Sequence, residues 1–306
     1  MFYNATGFNQ PLNGWDVGRV TSMSCMFYKA ASFNRSVNAW DVGQVRSMYQ
    51  MFAGDWQTPT SFNKPLNAWN VGQVTSMGYM FRYARAFDQP LDAWNTSQLR
   101  YMRGMFSDAQ AFNRPIGSWD VAKITDMSNL FNNAYAFNQP LGAWDVGQVT
   151  QLSWVFSSAY AFNQPLAFDT ARVTDMSRMF LGADAFNQDI SAWNVSQATS
   201  YTAMFNMFSV QGSGAFGECN TMALDTGTCP NVAVHNSFES QTSQWSYVYS
   251  ARTYLDDALA AWVSNATSAQ ERFGPISAWD VGAVTDMSGL VNGKSSFDED
   301  IDAWDV

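Results

Sequence analysis

Histidine is almost missing from this sequence, and that alone narrows its chemistry. The one copy, His235, lies in an irregular stretch with no recognisable nucleophile motif beside it, so the residues offer neither a Ser-His-Asp nor a Cys-His pairing. Cysteine is scarce too, with three residues and none of the clustered Cys/His spacing of a zinc site. Cys219 and Cys229 are close enough in sequence to bridge and staple the segment around them, and reduced thiols are the open alternative. The expectation is a non-enzyme without a cofactor.

Basic charge is short as well. Sixteen Lys/Arg stand against 26 Asp/Glu, giving a net charge of −10. The imbalance is local: residues 1–206 hold 13 of each sign, whereas 207–306 hold 3 basic and 13 acidic residues. Electrostatic nucleic-acid binding needs a basic face that displaces counterions, so no nucleic-acid partner is expected. Long apolar runs are missing, none approaching the roughly 18 residues of a membrane span. The opening Met1-Phe2-Tyr3-Asn4 lacks the basic start and apolar core of a signal peptide, which places any export signal or anchor outside these residues. Asn-x-Ser/Thr triplets at Asn4, Asn34, Asn95, Asn194 and Asn265 permit secretion without showing it.

What the chain has in abundance is repetition. A tract of the form Phe-Asn-x-Pro-Leu-x-x-Trp-Asp-Val-x-x-Val-Thr-x-Met-x-x-Met-Phe-x-x-Ala recurs with a period near 25 residues. Its Phe column reads Phe8, Phe33, Phe62, Phe87, Phe112, Phe137, Phe162 and Phe186; its Trp column reads Trp15, Trp40, Trp69, Trp94, Trp119 and Trp144, then Phe168, then Trp193. Units are numbered here from Phe8. Self-similarity at such a period predicts stacked coils that each contact only their neighbours. Phe33 and Phe62 are 29 apart, and the extra residues around Gly54 to Thr58 must bulge outward if the next unit is to stay in register.

Within one unit the apolar residues follow neither a sustained helical nor a sustained strand period. Phe112, Ile116, Trp119, Val121, Ile124, Met127, Leu130 and Phe131 show the uneven steps. The chain must turn several times per coil, and equivalent residues in coils about 4.8 Å apart then form ladders. The Asn after Phe is placed to bond backbone groups, the Asp or Asn after Trp suits an Asx-type turn, and Ser or Thr near the following Met can cap a short helical turn through Met-Phe-x-x-Ala. The expected fold is an α/β repeat solenoid, leucine-rich-repeat-like, with very short parallel strands, turns and short helical segments.

The repeat resembles that of the BspA-like leucine-rich-repeat surface proteins, in the 25-residue Mycoplasma-lipoprotein form. The likeness rests on Phe137-Asn138-Gln139-Pro140-Leu141-Gly142-Ala143-Trp144-Asp145-Val146 and on Val284-Thr285-Asp286-Met287-Ser288. It covers about residues 1–206 and 275–306. Gly, Ala or Thr often stands where that family has Ser after Val. The resemblance implies a solenoid displayed at a cell surface for contact with other molecules, with no general enzymatic activity.

The organisation follows. Residues 1–206 form a main array of about eight repeats, 207–252 an irregular junction, 253–274 an amphipathic capping helix, and 275–306 the start of a second, truncated array. In the helix, Leu255, Leu259, Trp262 and Val263 share one face.

Among candidate sites, the Asp column after Trp could hold calcium, but Asn70, Asn95 and Asn194 interrupt it, which favours turn capping. Asp298-Glu299-Asp300 with Asp302 reads as a solvated acidic loop. The column Thr21, Arg46, Thr75, Arg100, Thr125, Thr150, Thr174, Thr199 is broken twice by Arg, against an ice-ordering face. Recognition remains. Consecutive units concentrate Tyr49, Trp56, Tyr79, Arg82, Tyr83, Arg85, Tyr101 and Arg103 at outward positions, side chains of the kind that anchor contacts. Ser128, Ser153 and Ser177 read as outward positions without such anchors. The leading reading is an extracellular or cell-surface recognition and adhesion solenoid that binds protein or glycan. The alternative is a structural spacer or self-associating array with no specific ligand, and a hydrolytic domain beyond these residues would make the array an accessory.

Overall fold

The computed structural model describes residues 1–190, 192–202, 204, 259 and 263. The chain divides into two compact units, Met1–Val210 and Gln211–Val306. In the second, Leu259 and Val263 are helical and Leu259 is buried. The Cys219/Cys229 pair, His235, the acidic run from Asp298, the second array and the rest of the proposed capping helix lie outside the described residues.

In the first unit each repeat makes one coil, and backbone hydrogen bonds join each coil to its equivalent in the next. The segment Met23 to Ala30 accounts for its amides in two alternating sets. Met23, Cys25, Phe27 and Lys29 donate to the carbonyls of Ser47, Tyr49, Met51 and Ala53 in the following coil at 2.7–2.9 Å. Met26, Tyr28 and Ala30 instead close turns on Met23, Cys25 and Phe27 at 3.0–3.2 Å. Parallel bridges run from Ser22 through Ser47 and Ser76 to Tyr101, and from Asp126 through Gln151 and Asp175 to Ser200. Among the described residues no bridge joins Tyr101 to Asp126.

This bonding replaces the helical turn expected through Met-Phe-x-x-Ala. A helix would place every amide on its own coil, whereas here every second amide must reach the next one. The backbone meets both demands by entering the left-handed region at two columns. Cys25, Gln50, Tyr79, Asn129, Trp154 and Arg178 occupy one, and Lys29, Tyr83, Asp108, Asn133 and Ser158 the other, with φ of 53–61°. Each costs about 1–2 kcal/mol in a residue with a Cβ. Because the conformation recurs coil after coil, the strain belongs to the architecture and not to one local site.

The core is two parallel stacks of phenylalanines. Phe27, Phe52, Phe81, Phe106, Phe131, Phe156 and Phe180 stack on one another at 5.6–5.9 Å between ring centroids. The column from Phe8 to Phe186 stacks at 5.8–6.1 Å. The two stacks meet at 3.9–4.0 Å, as between Phe131 and Phe137. The Trp column flanks them: Trp40 to Trp193 are 3–4% exposed, against 40% for Trp15 in the first unit.

Polar ladders hold the coil edges. Asn138 Oδ1 accepts the Asn163 backbone N–H at 3.0 Å and the Gln164 side-chain amide at 3.0 Å, and the same bond recurs from Asn9 to Asn163, with Asp88 in its place once. The Asp or Asn after Trp turns its Oδ1 onto the amide two residues on, as Asp145 does to Gly147 at 3.0 Å and Asn70 to Gly72 at 3.2 Å. Amide and carboxylate serve this turn alike. Among the described residues no group of three or more His, Cys, Asp or Glu could hold a metal ion, and no helix is long and apolar enough to cross a membrane.

The longer second unit places its extra residues outside the stack. Asp55 and Thr58 bond each other through backbone amides at 3.2 Å, Asp55 pairs with Lys29, and Trp56 at the tip is 70% exposed. Gly54 is needed at the base, since a Cβ there would meet the Thr58 carbonyl at 2.3 Å.

Candidate functional site

Side chains leave the coil surface wherever their neighbours must face inward. In the tract after the second Val, the two Met, the Phe and the Ala are buried, and among the residues between them Tyr49, Tyr79, Arg82, Tyr83 and Arg103 are half-buried. Units two to four carry aromatic and cationic residues there, and the structure draws several of them into one cluster.

Tyr49, Tyr79 and Tyr101 come from three successive coils and from three different columns. The Tyr49 ring meets Tyr79 edge-on at 6.0 Å and Tyr101 at a tilt at 6.2 Å between centroids. Two glycines make room. A Cβ on Gly78 would lie 2.1 Å from Cε1 of Tyr101, and one on Gly104 would lie 2.4 Å from Cε1 of Tyr79. The rings therefore pack against bare backbone of the adjacent coil. Arg82 lays its guanidinium over Tyr79 at 5.5 Å and Tyr83 at 5.2 Å, the geometry of a cation–π contact. Arg103 reaches Asp126 at a long 3.5 Å, and its Nε–H is buried without a hydrogen bond to the protein. That reach crosses the gap in the bridge column between Tyr101 and Asp126.

Burial pushes the pKa of the Tyr49 phenol above its ordinary value, with Tyr79 adding to the rise and Arg82 opposing it. Tyr101 is raised for the same first reason, with Tyr79 and Tyr49 next. Both phenols are uncharged at neutral pH and can donate as well as accept hydrogen bonds.

Two of the eight sequence-selected residues fall outside this cluster. Trp56 stands on the insertion with no aromatic partner among the described residues, and Arg85 is exposed in a column shared with Gln110, Tyr135 and Tyr160. The serines read as outward positions without anchors also differ from expectation: Ser128 is buried, 3% exposed, with its amide on Asp126 Oδ1 and its hydroxyl bonded by Ser153. Later units are not bare either. Arg178 lies over the Trp154 ring at 4.6 Å, and Tyr135 stacks on Tyr160 at 4.8 Å. Reading one column beyond the serines would have found Trp154 and Arg178.

Residues 1–61, 55–124, 112–213 and 257–306 each match the model of the family described as Mycoplasma protein of unknown function, DUF285, and the chain belongs to that family as a repeat protein. No curated protein matches the chain. No solved structure matches it.

Proposed function

We propose that this member of the family is a non-enzymatic recognition protein, a leucine-rich-repeat-like solenoid of the BspA-like kind that acts at a cell surface or after secretion and binds protein or glycan. One observation carries the reading. Three tyrosine rings and two arginines from successive coils converge on a single face, and glycines at 78 and 104 accommodate them. Aromatic and Arg groups of this kind dominate binding energy where they are grouped. The packing of the coils does not require them, since other units put Ser, Asn or Gln in the same columns.

The competing reading is a spacer, favoured by the way Tyr79 and Tyr101 spend part of their surface on neighbouring coils. A single comparison separates the two. The full chain carrying Tyr79→Ala, Arg82→Ala, Tyr101→Ala and Arg103→Ala is expected to lose binding to cells or extracellular matrix, with each anchor contributing about 2 kcal/mol or roughly thirtyfold. The control Trp154→Ala with Arg178→Ala should bind like the parent. Near-UV circular dichroism checks that both remain folded, and equal binding by the two variants would put the spacer reading ahead.

A further inference from the structure

We propose that the face of units two to four takes an anionic polysaccharide, with Arg46, Arg82 and Arg100 anchoring its carboxylate or sulfate groups and Tyr49 and Tyr101 supporting its sugar rings. The inference rests on the recognition reading above and commits it to one ligand class.

Charge points first to an anion. Residues 33–111 carry seven Lys/Arg and five Asp/Glu within a chain of net charge −10. The acidic groups here are largely committed: Asp55 to Lys29, Asp88 to Arg114, and Asp108, which is buried, to Ser107 and Asn133. The arginines are not. Among the described residues Arg46, Arg82 and Arg100 form no ion pair. Arg82 is held flat on two tyrosines, which fixes the plane of its donors before any ligand arrives. Arg103 is held only loosely by Asp126, so turning it toward a ligand gives up little.

Spacing points to a linear ligand with repeated charges. Arg46, Thr75 and Arg100 each precede a residue of the bridge column, Ser47, Ser76 and Tyr101. They therefore form a row along the stack, with the two arginines two coil spacings, about 10 Å, apart. Beside this row the Tyr49 ring lies 6.0 Å from Tyr79 and 6.2 Å from Tyr101, which joins rings from three successive coils into one aromatic patch of the kind on which a sugar ring can lie. Their phenols are neutral, so they supply hydroxyl-matching hydrogen bonds without repelling an anion.

An acidic peptide fits less well. Extended peptides bind by adding a strand to a free sheet edge, and here the outward segment spends its amides on turns and on the next coil, as Met48, Gln50, Phe52 and Gly54 do toward Ser76, Gly78, Met80 and Arg82. A polysaccharide asks for side chains only.

The test titrates the full chain with heparin oligosaccharide, an uncharged dextran oligosaccharide and a poly-glutamate peptide. Binding to the heparin probe is expected to weaken steeply as salt rises, to fall roughly tenfold or more in Arg82→Ala and in Arg100→Ala, to recover only partly in Arg82→Lys, and to persist in Arg172→Ala. Equal affinity for dextran would overturn the role of charge, and equal or tighter binding of poly-glutamate would overturn the choice of polysaccharide. Failure to bind heparin while the parent still binds cells would sink this ligand class and leave the recognition reading standing. Failure to bind either would sink both.

Discussion

The indole N–H of Trp119 donates to the main-chain carbonyl of Leu91, one coil back, at 3.0 Å. The same bond joins Trp40 to Leu12, Trp69 to Val37, Trp94 to Leu66, Trp144 to Ile116 and Trp193 to Leu166. A buried aromatic thus acts as both filler and fastener between coils. Only the filling survives at Phe168, which takes the Trp position in unit seven and has no such donor.

Trp119→Ala is expected to cost about 3–5 kcal/mol, the range for large aromatic truncations in a core. Trp119→Phe should cost only about 1 kcal/mol beyond its lost volume, because the Leu91 carbonyl still accepts the Trp94 amide at 3.1 Å. Hydrogen exchange should show the loss in the coils on either side of Trp119 before it reaches distant ones. Uniform loss along the chain would contradict nearest-neighbour coupling.

Asn138→Ala removes the acceptor for both the Asn163 amide and the Gln164 side chain. Leaving a half-buried donor unmet should cost about 1–3 kcal/mol in denaturant unfolding. Asn138→Asp should be much milder, since Asp88 already fills that position and accepts the Asn113 amide at 3.0 Å.

Gly78→Ala should destabilise the fold by displacing the Tyr101 ring, by about 1–3 kcal/mol as for other overpacked sites. The loss should be suppressed when Tyr101→Ala is added, giving a large coupling in a double-mutant cycle. Additive losses would mean that the two groups do not touch. At Gly104 the left-handed backbone would add about 1–2 kcal/mol of its own to the clash with the Tyr79 ring.

Alkaline titration probes the tyrosine cluster. Burial, then neighbouring tyrosines, hold the phenols of Tyr49, Tyr101 and Tyr135 above their ordinary range near 10. The folded protein keeps protons that the unfolded chain would release, so this contribution is present at neutral pH and lost as pH rises through and beyond about 10. Phenolate absorbance should show a late-titrating fraction that shrinks in Tyr49→Phe. A single ordinary titration for all tyrosines would rule the buried cluster out.

The parts of this structure that could be read in the residues are those set by period and by short-range chemistry. The Phe and Trp columns announced which side chains stack, and Asn138 and Asp145 announced bonds that short amides and carboxylates make to nearby backbone. The segment Met127 to Ala134 misled, because Met, Leu, Phe and Ala at those offsets look helical until one asks where alternate amides must go. For the candidate site, the residue types were legible and their grouping was not. Tyr49, Tyr79 and Tyr101 occupy three columns, and their meeting depends on side-chain directions across coils and on Gly78 and Gly104 being empty. Trp154 and Arg178 escaped notice for the same reason, since a left-handed backbone aims a side chain where neither helix nor strand geometry would.

The bonds between coils recur at an offset near 25 residues whichever pair is chosen, and this gives the gene a property that most folds lack. Deleting or duplicating one unit-length of coding sequence, beginning at any codon of the array, would bring together two surfaces already shaped for each other. The second unit, four residues long of the period, and the seventh, one short of it, show that even imperfect lengths rejoin. Array length and the position of the tyrosine and arginine face along it can therefore drift by recombination between neighbouring units, while every surviving junction keeps its contacts.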